Sequence, residues 1–250
     1  MEILVVNPNT TASMTERIGA AAAAAASPGT RITALQPAIG PASIEGFYDE
    51  ALAVPGLLEE IAKGEARRVA GHVIACFDDT GLEAARALAR APVVGIGEAA
   101  FHLASLVAGR FSVVTTLGRA VPAIEQNLVK YGLAARCARV RAAEVPVLAL
   151  EEEDGPARER IEAEIEAAVR DDRAEAIVLG CAGMVDLAAE LSRRHALPVI
   201  DGVAAAVALV ECLARLGLRT SKRGGYAEPL PKAIVGFPVR PPRGDGEARA

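Results

Sequence analysis

Short runs of apolar, mostly β-branched residues alternate along this chain with longer Ala- and Leu-rich stretches of helical period. The strand-like runs are Glu2 to Val6, Thr30 to Leu35, Val69 to Ala75, Val93 to Ile96, Phe111 to Thr116, Arg139 to Ala142, Ile177 to Leu179 and Val199 to Ile200. Between them the spacing predicts helices from Thr11 onward, Ala51 to Gly64, Glu83 to Arg90, Ala120 to Tyr131, Pro156 to Arg170, Val185 to His195 and Ala204 to Leu216. Strands that alternate with helices in this way give an α/β fold with mostly parallel, doubly wound sheets. Thr10, Thr11 and Ser13 offer N-caps for the first helix. Ala20 to Ala26 reads as a small-faced packed helix, because alanine is the best helix former. Residues 36–49 hold several glycines and prolines and read as a long loop of the kind that binds or covers a ligand. The acidic run Glu151 to Asp154 reads as a solvated helix start, and RPPRGDGEARA at the end of the chain as a disordered tail.

Two of the strands end alike. Val73 to Leu82, VIACFDDTGL, and Ile177 to Leu187, IVLGCAGMVDL, each carry an apolar run onto a cysteine, followed by small or polar residues and a helical pattern. The sequel repeats too, as APVVGIGEAA and LPVIDGVAAA, with 16 residues from Cys76 to Pro92 and 17 from Cys181 to Pro198. The spacing indicates an internal duplication with one cysteine in each half and a site between the halves. Two pseudo-symmetric lobes are expected: residues 1–98 with 207–237, and residues 99–206, with 238–250 as the tail.

Charge and cysteine usage narrow the classes. A net charge of −5 and no visible basic face argue against nucleic-acid binding. The weakly polar stretch Gly19 to Pro28 is too short to span a bilayer, and Met1-Glu2 leads straight into a strand without a basic leader, so a cytoplasmic location without a membrane partner is expected. Four cysteines without CxxC or a Cys/His cluster fit neither a disulfide framework nor a metal site. Apolar helices such as Ala204 to Leu216 point to a homo-oligomer.

Open α/β sheets bind ligands beyond the carboxyl ends of their strands. Cys76 and Cys181 sit there at corresponding positions, where the field of a following helix N-terminus would lower a thiol pKa. Asn7 and Asn9 follow the first strand, and Thr115 and Thr116 end its counterpart; all four are candidates to hydrogen-bond a substrate. Asp78 and Asp79 either cap the helix after Cys76 or serve function, and Thr80 of the same turn joins the candidate substrate contacts with Asp78. Cys137 and Cys212 read as small buried hydrophobes in helical or loop surroundings. His72, His102 and His195 lie at strand or helix ends with no catalytic arrangement around them. Gly95-Ile96-Gly97-Glu98-Ala99-Ala100 matches a dinucleotide fingerprint, yet the next strand ends Thr115-Thr116-Leu117 and not on the acidic residue that would hold a ribose.

The opening ILVVNPNT, the loop GPASIEGFYDEALAVP, IACFDDTGLEAAR, FSVVTT, AEAIVLGCAGM, LPVIDGVAAAV and TSKRGGYAEP together resemble the aspartate/glutamate/hydantoin racemase superfamily, and within it the hydantoin racemases, over residues 1 to about 237. The resemblance implies two lobes, a cleft site, no cofactor, and acid/base thiols at Cys76 and Cys181. It also implies substrate contacts at Asn7, Asn9, Ile44, Phe77, Thr116, Ala182 and Gly183. Amino-acid racemases of the superfamily typically read CNT at the first cysteine and GCT followed by His or Glu at the second. Here Cys76-Phe77-Asp78 and Cys181-Ala182-Gly183 stand instead, which argues for a neutral ring over a zwitterion. Hydantoins are the expected substrates and allantoin the alternative, with an amino acid less favoured. A two-lobed binding module without catalysis is a reading from another class, and it has no need of matched thiols.

Overall fold

The computed structural model describes residues 1–151 and 155–235; most of the acidic run ending at Asp154 and the whole expected tail lie outside them. The chain forms two four-stranded sheets, and every strand pairing within them is parallel. The first sheet contains β1 (Glu2–Val6), β2 (Arg31–Leu35), β3 (Gly71–Ile74) and β4 (Val93–Gly95), in the order β2-β1-β3-β4. The second contains β5 (Phe111–Thr115), β6 (Cys137–Ala142), β7 (Ala176–Gly180) and β8 (Val199–Ile200), in the order β6-β5-β7-β8. The duplication legible in the sequence is therefore a duplication of topology.

Position in the sheet explains the strand compositions. β1, β3, β5 and β7 are central, covered on both faces, and nearly continuous in apolar residues, as buried parallel strands require. β2 and β6 lie at the edges, where Arg31, Thr33, Arg139 and Arg141 are tolerated. The helices are α1 (Ala12–Ala25), α2 (Phe47–Ala66), α3 (Leu82–Leu88), α4 (Ile96–Val107), α5 (Val121–Lys130), α6 (Pro156–Asp171), α7 (Ala188–His195) and α8 (Gly202–Arg215).

A continuous core joins the two sheets. Ile3, Val5, Val73 and Val94 of the first share it with Phe111, Val113 and Val178 of the second, through α1, α4 and α8. α8 packs on α4, α1 and β3, and Val203, Ala206, Val207 and Val210 are fully buried there. Its apolar surface is thus absorbed between the lobes, which removes the ground on which an oligomer was expected from this helix. Separate cores lie under α2 and α3 on one side and under α6 and α7 on the other.

Several expectations change. The long loop ends at Gly46, and α2 starts at Phe47, earlier than the apolar pattern indicated. Residues 182–187 form a 3-10 segment, so α7 begins at Ala188 and not at Val185. Thr11 occupies the N-cap of α1 without a side-chain capping bond, since its hydroxyl donates to the Ala42 carbonyl in the long loop. Cys137 opens β6, and burial pushes its thiol up to about 12, whereas Cys212 is exposed on α8 and is not a core residue. His72 is buried inside β3, paired with Glu65 at 2.8 Å. Among the described residues no helix is long and apolar enough to cross a membrane.

Candidate active site

In each sheet the strand order reverses beside the two central strands, and their carboxyl ends open a crevice at that switch point. β1 delivers Asn7 and Asn9, β3 delivers Cys76, β5 delivers Thr115 and Thr116, and β7 delivers Cys181. These residues meet on the wall of one small cavity of about 40 Å³, completed by Met14, Ile44, Phe77, Asp78, Ala120, Val147 and Ala182 among others. The loop before α2 contributes Ile44 to its wall. Pro41 and Ala42 accept hydrogen bonds from Thr10 and Thr11, and the Glu45 carboxylate accepts from the Val147 N–H at 3.1 Å, so this first-lobe loop touches the second lobe beside Ile44.

The polar groups are arranged in layers. Asn7 Nδ2 donates to Asn9 Oδ1 at 2.8 Å and to Thr15 Oγ1 at 3.0 Å, and Asn9 Oδ1 also accepts from the Thr11 N–H. Asn7 is committed to the turn, whereas among the described residues Asn9 Nδ2 donates to the Met14 thioether, a weak acceptor, at 3.3 Å. Thr115 Oγ1 donates to the Gly180 carbonyl at 2.9 Å and ties β5 to β7. Thr80 and Gly183 stand behind the thiols and not on the cavity wall. The Thr80 hydroxyl donates to Cys76 Sγ at 3.3 Å, and the Gly183 N–H donates to Cys181 Sγ at 3.4 Å. Phe77 is buried edge-on against Phe101, with ring centroids 5.3 Å apart.

The thiols are not activated by a helix field as expected from the sequence. α3 starts six residues beyond Cys76, and Cys181 leads into a 3-10 segment, so neither sulfur sits at the first turn of a long helix. Burial dominates instead. It pushes the Cys181 thiol up to about 11, helped by Asp78 and Glu45 and opposed by the Gly183 N–H and the Arg17 cation. Cys76 is raised well above its usual range by burial and by Asp78, against the Thr80 hydrogen bond. Burial, Glu50 and Asp79 push the Asp78 carboxyl up to about 8.

Neither aspartate caps α3, whose N-cap is Gly81 in the left-handed conformation. Asp79, itself left-handed at φ 52°, turns to α4 and accepts from the N–H groups of Gly97 and Glu98 at 2.9 and 2.8 Å. The dinucleotide-like glycines therefore have another use. A Cβ on Gly95 would stand 2.0 Å from Asp79 Oδ1, and one on Gly97 2.3 Å from the Phe77 carbonyl oxygen. The helix N-terminus that would hold a phosphate already holds this carboxylate.

Arg17, Asn127, Tyr131, Met14 and Val147 also surround the site, and nothing in their local sequence marked them. Arg17, Asn127, Tyr131 and Val147 find their partners far along the chain, as in the bonds from Arg17 to Leu150 and Gly183 and from Asn127 to Asp78, whereas Met14 meets Asn9 only five residues away.

Two doubly wound parallel sheets of the same topology, each bringing a cysteine from the end of a central strand to a shared cavity, define a class of two-lobed α/β enzymes. A sequence profile described as Asp/Glu/Hydantoin racemase matches residues 3–210, and the chain belongs to that family. A hydantoin racemase from Rhizobium meliloti is 50% identical over 239 residues, which cover 96% of this chain and 99% of the relative. An allantoin racemase structure from Klebsiella pneumoniae superposes with a TM-score of 0.93 at 52% identity, covering 94% of this chain and 96% of that one. An allantoin racemase structure from Pseudomonas fluorescens gives 0.91 at 45% identity, covering 94% and 100%. The chain is an isomerase, a racemase, and the alternative of a non-catalytic binding module falls away.

Proposed function

We propose that the chain racemises cyclic ureides, 5-monosubstituted hydantoins first and allantoin as the alternative, through proton transfers at C5 by Cys76 and Cys181. The observation that carries this reading is the pair of thiols on the wall of one largely apolar cavity, delivered from corresponding strand ends. The hydantoin and allantoin racemases to which the chain is similar support the substrate class.

The cavity chemistry favours a neutral ring. No Lys or Arg is among its lining residues, while Asp78 lines it with Glu50 and Asp79 near by. A substrate carboxylate would find no cationic partner on the wall itself, Arg17 lying behind it and already bonded to the Leu150 and Gly183 carbonyls, which disfavours aspartate or glutamate. A ureide presents amide N–H groups and carbonyls instead, and asks only for hydrogen bonds.

The C5 proton of a hydantoin lies between a carbonyl and a ring nitrogen, so its removal gives an enolate. One thiolate takes the proton from one face, and the opposite thiol returns a proton to the other face and inverts the centre. In the reverse direction the two exchange roles. General acid/base assistance of this kind contributes about 10²- to 10⁴-fold. Asn9 Nδ2, whose present partner is a thioether, and the Thr116 hydroxyl, both on the cavity wall, are the side-chain donors proposed for the developing enolate oxygen. No cofactor is invoked for these steps.

Both thiols are raised by burial, so near neutral pH the site holds them protonated, and the thiolate must form at the expense of that desolvation.

A homo-oligomer is also proposed, supported by the exposed apolar residues Phe47, Tyr48 and Leu52 on α2. A sedimentation mass of 25.8 kDa would refute it. Four unpaired cysteines suit a reducing cytoplasm.

Polarimetry on enantiopure 5-benzylhydantoin and allantoin tests the function, with L-aspartate and L-glutamate as controls. Loss of rotation on the ureides alone is expected. Faster loss with allantoin would reverse the order of substrates, and turnover of the amino acids alone would refute the reading.

A further inference from the structure

Each cysteine loop is tied to the lobe that does not carry it. α1 follows β1 in the first lobe, and the Arg17 guanidinium on it donates to the carbonyls of Leu150 and Gly183 in the second, at 2.9 and 3.3 Å. Gly183 is the residue whose N–H donates to Cys181 Sγ. α5 follows β5, the counterpart of β1, and its side chains reach the other way. Asn127 Nδ2 donates to the Asp78 carbonyl at 2.8 Å, and the Tyr131 hydroxyl donates to Asp79 Oδ2 at 2.7 Å. Those are the second and third residues after Cys76. The two helices hold corresponding places in the duplicated topology, so the tethers correspond and cross.

Crossing matters because a proton transfer on each face of one carbon demands that the two sulfurs be set relative to each other. A loop anchored only to its own strand would follow its own lobe in any slip between lobes, and misplacement of about 1 Å costs on the order of 10²-fold in rate. An anchor from the opposite lobe fixes each sulfur against the frame that carries the other. Neither Arg17, Asn127 nor Tyr131 lines the cavity, so they act through the cysteine loops and not on the substrate.

We propose that Arg17 is the positioning residue for Cys181, and Asn127 with Tyr131 the positioning pair for Cys76, each acting across the lobe boundary. The proposal rests on the reading that these two thiols transfer the protons. The tethers differ in kind. Arg17 adds a cation near Cys181, where it opposes burial, Asp78 and Glu45. Asn127 and Tyr131 add no charge to a loop where burial, Asp78 and Glu50 face the Cys76 thiol and Thr80 donates to it, so their effect is on placement.

Site-resolved alkylation of the full chain with iodoacetamide across pH tests this, read by mass spectrometry of the Cys76 and Cys181 peptides beside the melting temperature and racemisation kinetics. Arg17→Gln should move the alkylation midpoint of Cys181 to higher pH, on the order of half a unit for a partly screened charge, and leave that of Cys76 in place. Arg17→Lys, which keeps the charge, should restore most of the shift. Asn127→Ala and Tyr131→Phe should make Cys76 react several-fold faster at every pH, with Cys181 unchanged. All should lower kcat more than they change KM. Arg17→Lys and Tyr131→Phe remove least, and keep the test decisive if a harsher variant unfolds. An effect confined to the thiol of the same lobe, spread equally over both thiols, or absent from both would overturn the proposal. Alkylation reads the thiols directly, so an intact protein that shows the crossed pattern but turns over no ureide would sink the functional reading and not this one.

Discussion

The Thr80 hydroxyl lies 3.3 Å from Cys76 Sγ and donates to it, four residues further along the same turn. A donor aimed at sulfur favours the thiolate, and here it works against the burial and the Asp78 charge that raise this thiol. Cys181 has the equivalent bond from a backbone N–H, so only the Cys76 bond can be deleted by substitution. Thr80→Val keeps the shape of the side chain and removes the donor. A hydrogen bond to a charged group contributes about 1.5–3 kcal/mol, so kcat should fall roughly 10-fold or more. The Cys76 thiol should be alkylated only at higher pH, while Cys181 is unaffected; an unchanged Cys76 profile would show that the contact does not bear on ionisation.

Asp78 offers the opposite change. Its negative charge raises both thiols, and its own carboxyl is pushed up to about 8. Loss of a nearby negative charge stabilises a thiolate, so Asp78→Asn should lower the pKa of both sulfurs. In the wild type, ureide racemisation should climb with pH on the alkaline side of neutrality as the thiols ionise, with Asp78 charging in the same range and holding the climb back. In Asp78→Asn the climb should begin at lower pH. The pH dependence of kcat/KM on an enantiopure hydantoin measures it, and a shift toward higher pH would contradict the electrostatics.

Gly95 and Gly97 are fixed by Asp79 and by the chain at Phe77, not by a nucleotide. Adding a Cβ at Gly95 places it 2.0 Å from Asp79 Oδ1, and the carboxylate must leave the α4 N-terminus. Overpacking of this kind costs about 1–3 kcal/mol, and at this chain length roughly 2–4 °C of melting temperature per kcal/mol. Gly95→Ala should therefore melt several degrees lower, and it should lose activity because the Cys76 loop moves with Asp79. Addition of NAD should not raise the melting temperature of the wild type; a rise would restore the nucleotide reading.

The contrast between these residues shows what a single sequence exposes. β1, β3, β5 and β7 were legible because burial on both faces demands continuous apolar runs, and Cys76 and Cys181 because duplication placed them at matched strand ends. Asp79 misled because an acidic pair before a glycine and a helical pattern looks like a local cap. Its real partners, 18 and 19 residues on, give no local signal. Val185 to Leu187 carried helical spacing into a segment that the turn after Cys181 winds as 3-10. Arg17 was the least visible, since its Gly183 partner is 166 residues away and a lone arginine on a helix reads as a solvated one. The thiol ionisation was misjudged for a related reason. A sequence shows that a helix follows, but not how many residues separate sulfur from its first turn, nor how completely the strand ends are buried.

The two thiols should prove non-equivalent and both necessary. If Cys76 and Cys181 act on opposite faces of C5, each thiolate removes the proton of one enantiomer only. Cys76→Ser and Cys181→Ser should then each abolish racemisation, because a hydroxyl is far too weak an acid or base near neutral pH. The surviving thiol can still exchange a proton with solvent on its own face. In D₂O, the variant that keeps one cysteine should incorporate deuterium at C5 of one enantiomer with retention and leave the mirror image untouched, and the two variants should show opposite preferences. Cys137→Ser and Cys212→Ser should racemise normally, since the first thiol lies in an edge strand of the second sheet and the second is exposed on α8, both outside the cavity. Proton NMR on each pure enantiomer measures the exchange. Substantial racemisation by either single active-site variant would show that one face suffices, and the two-thiol mechanism would have to be abandoned.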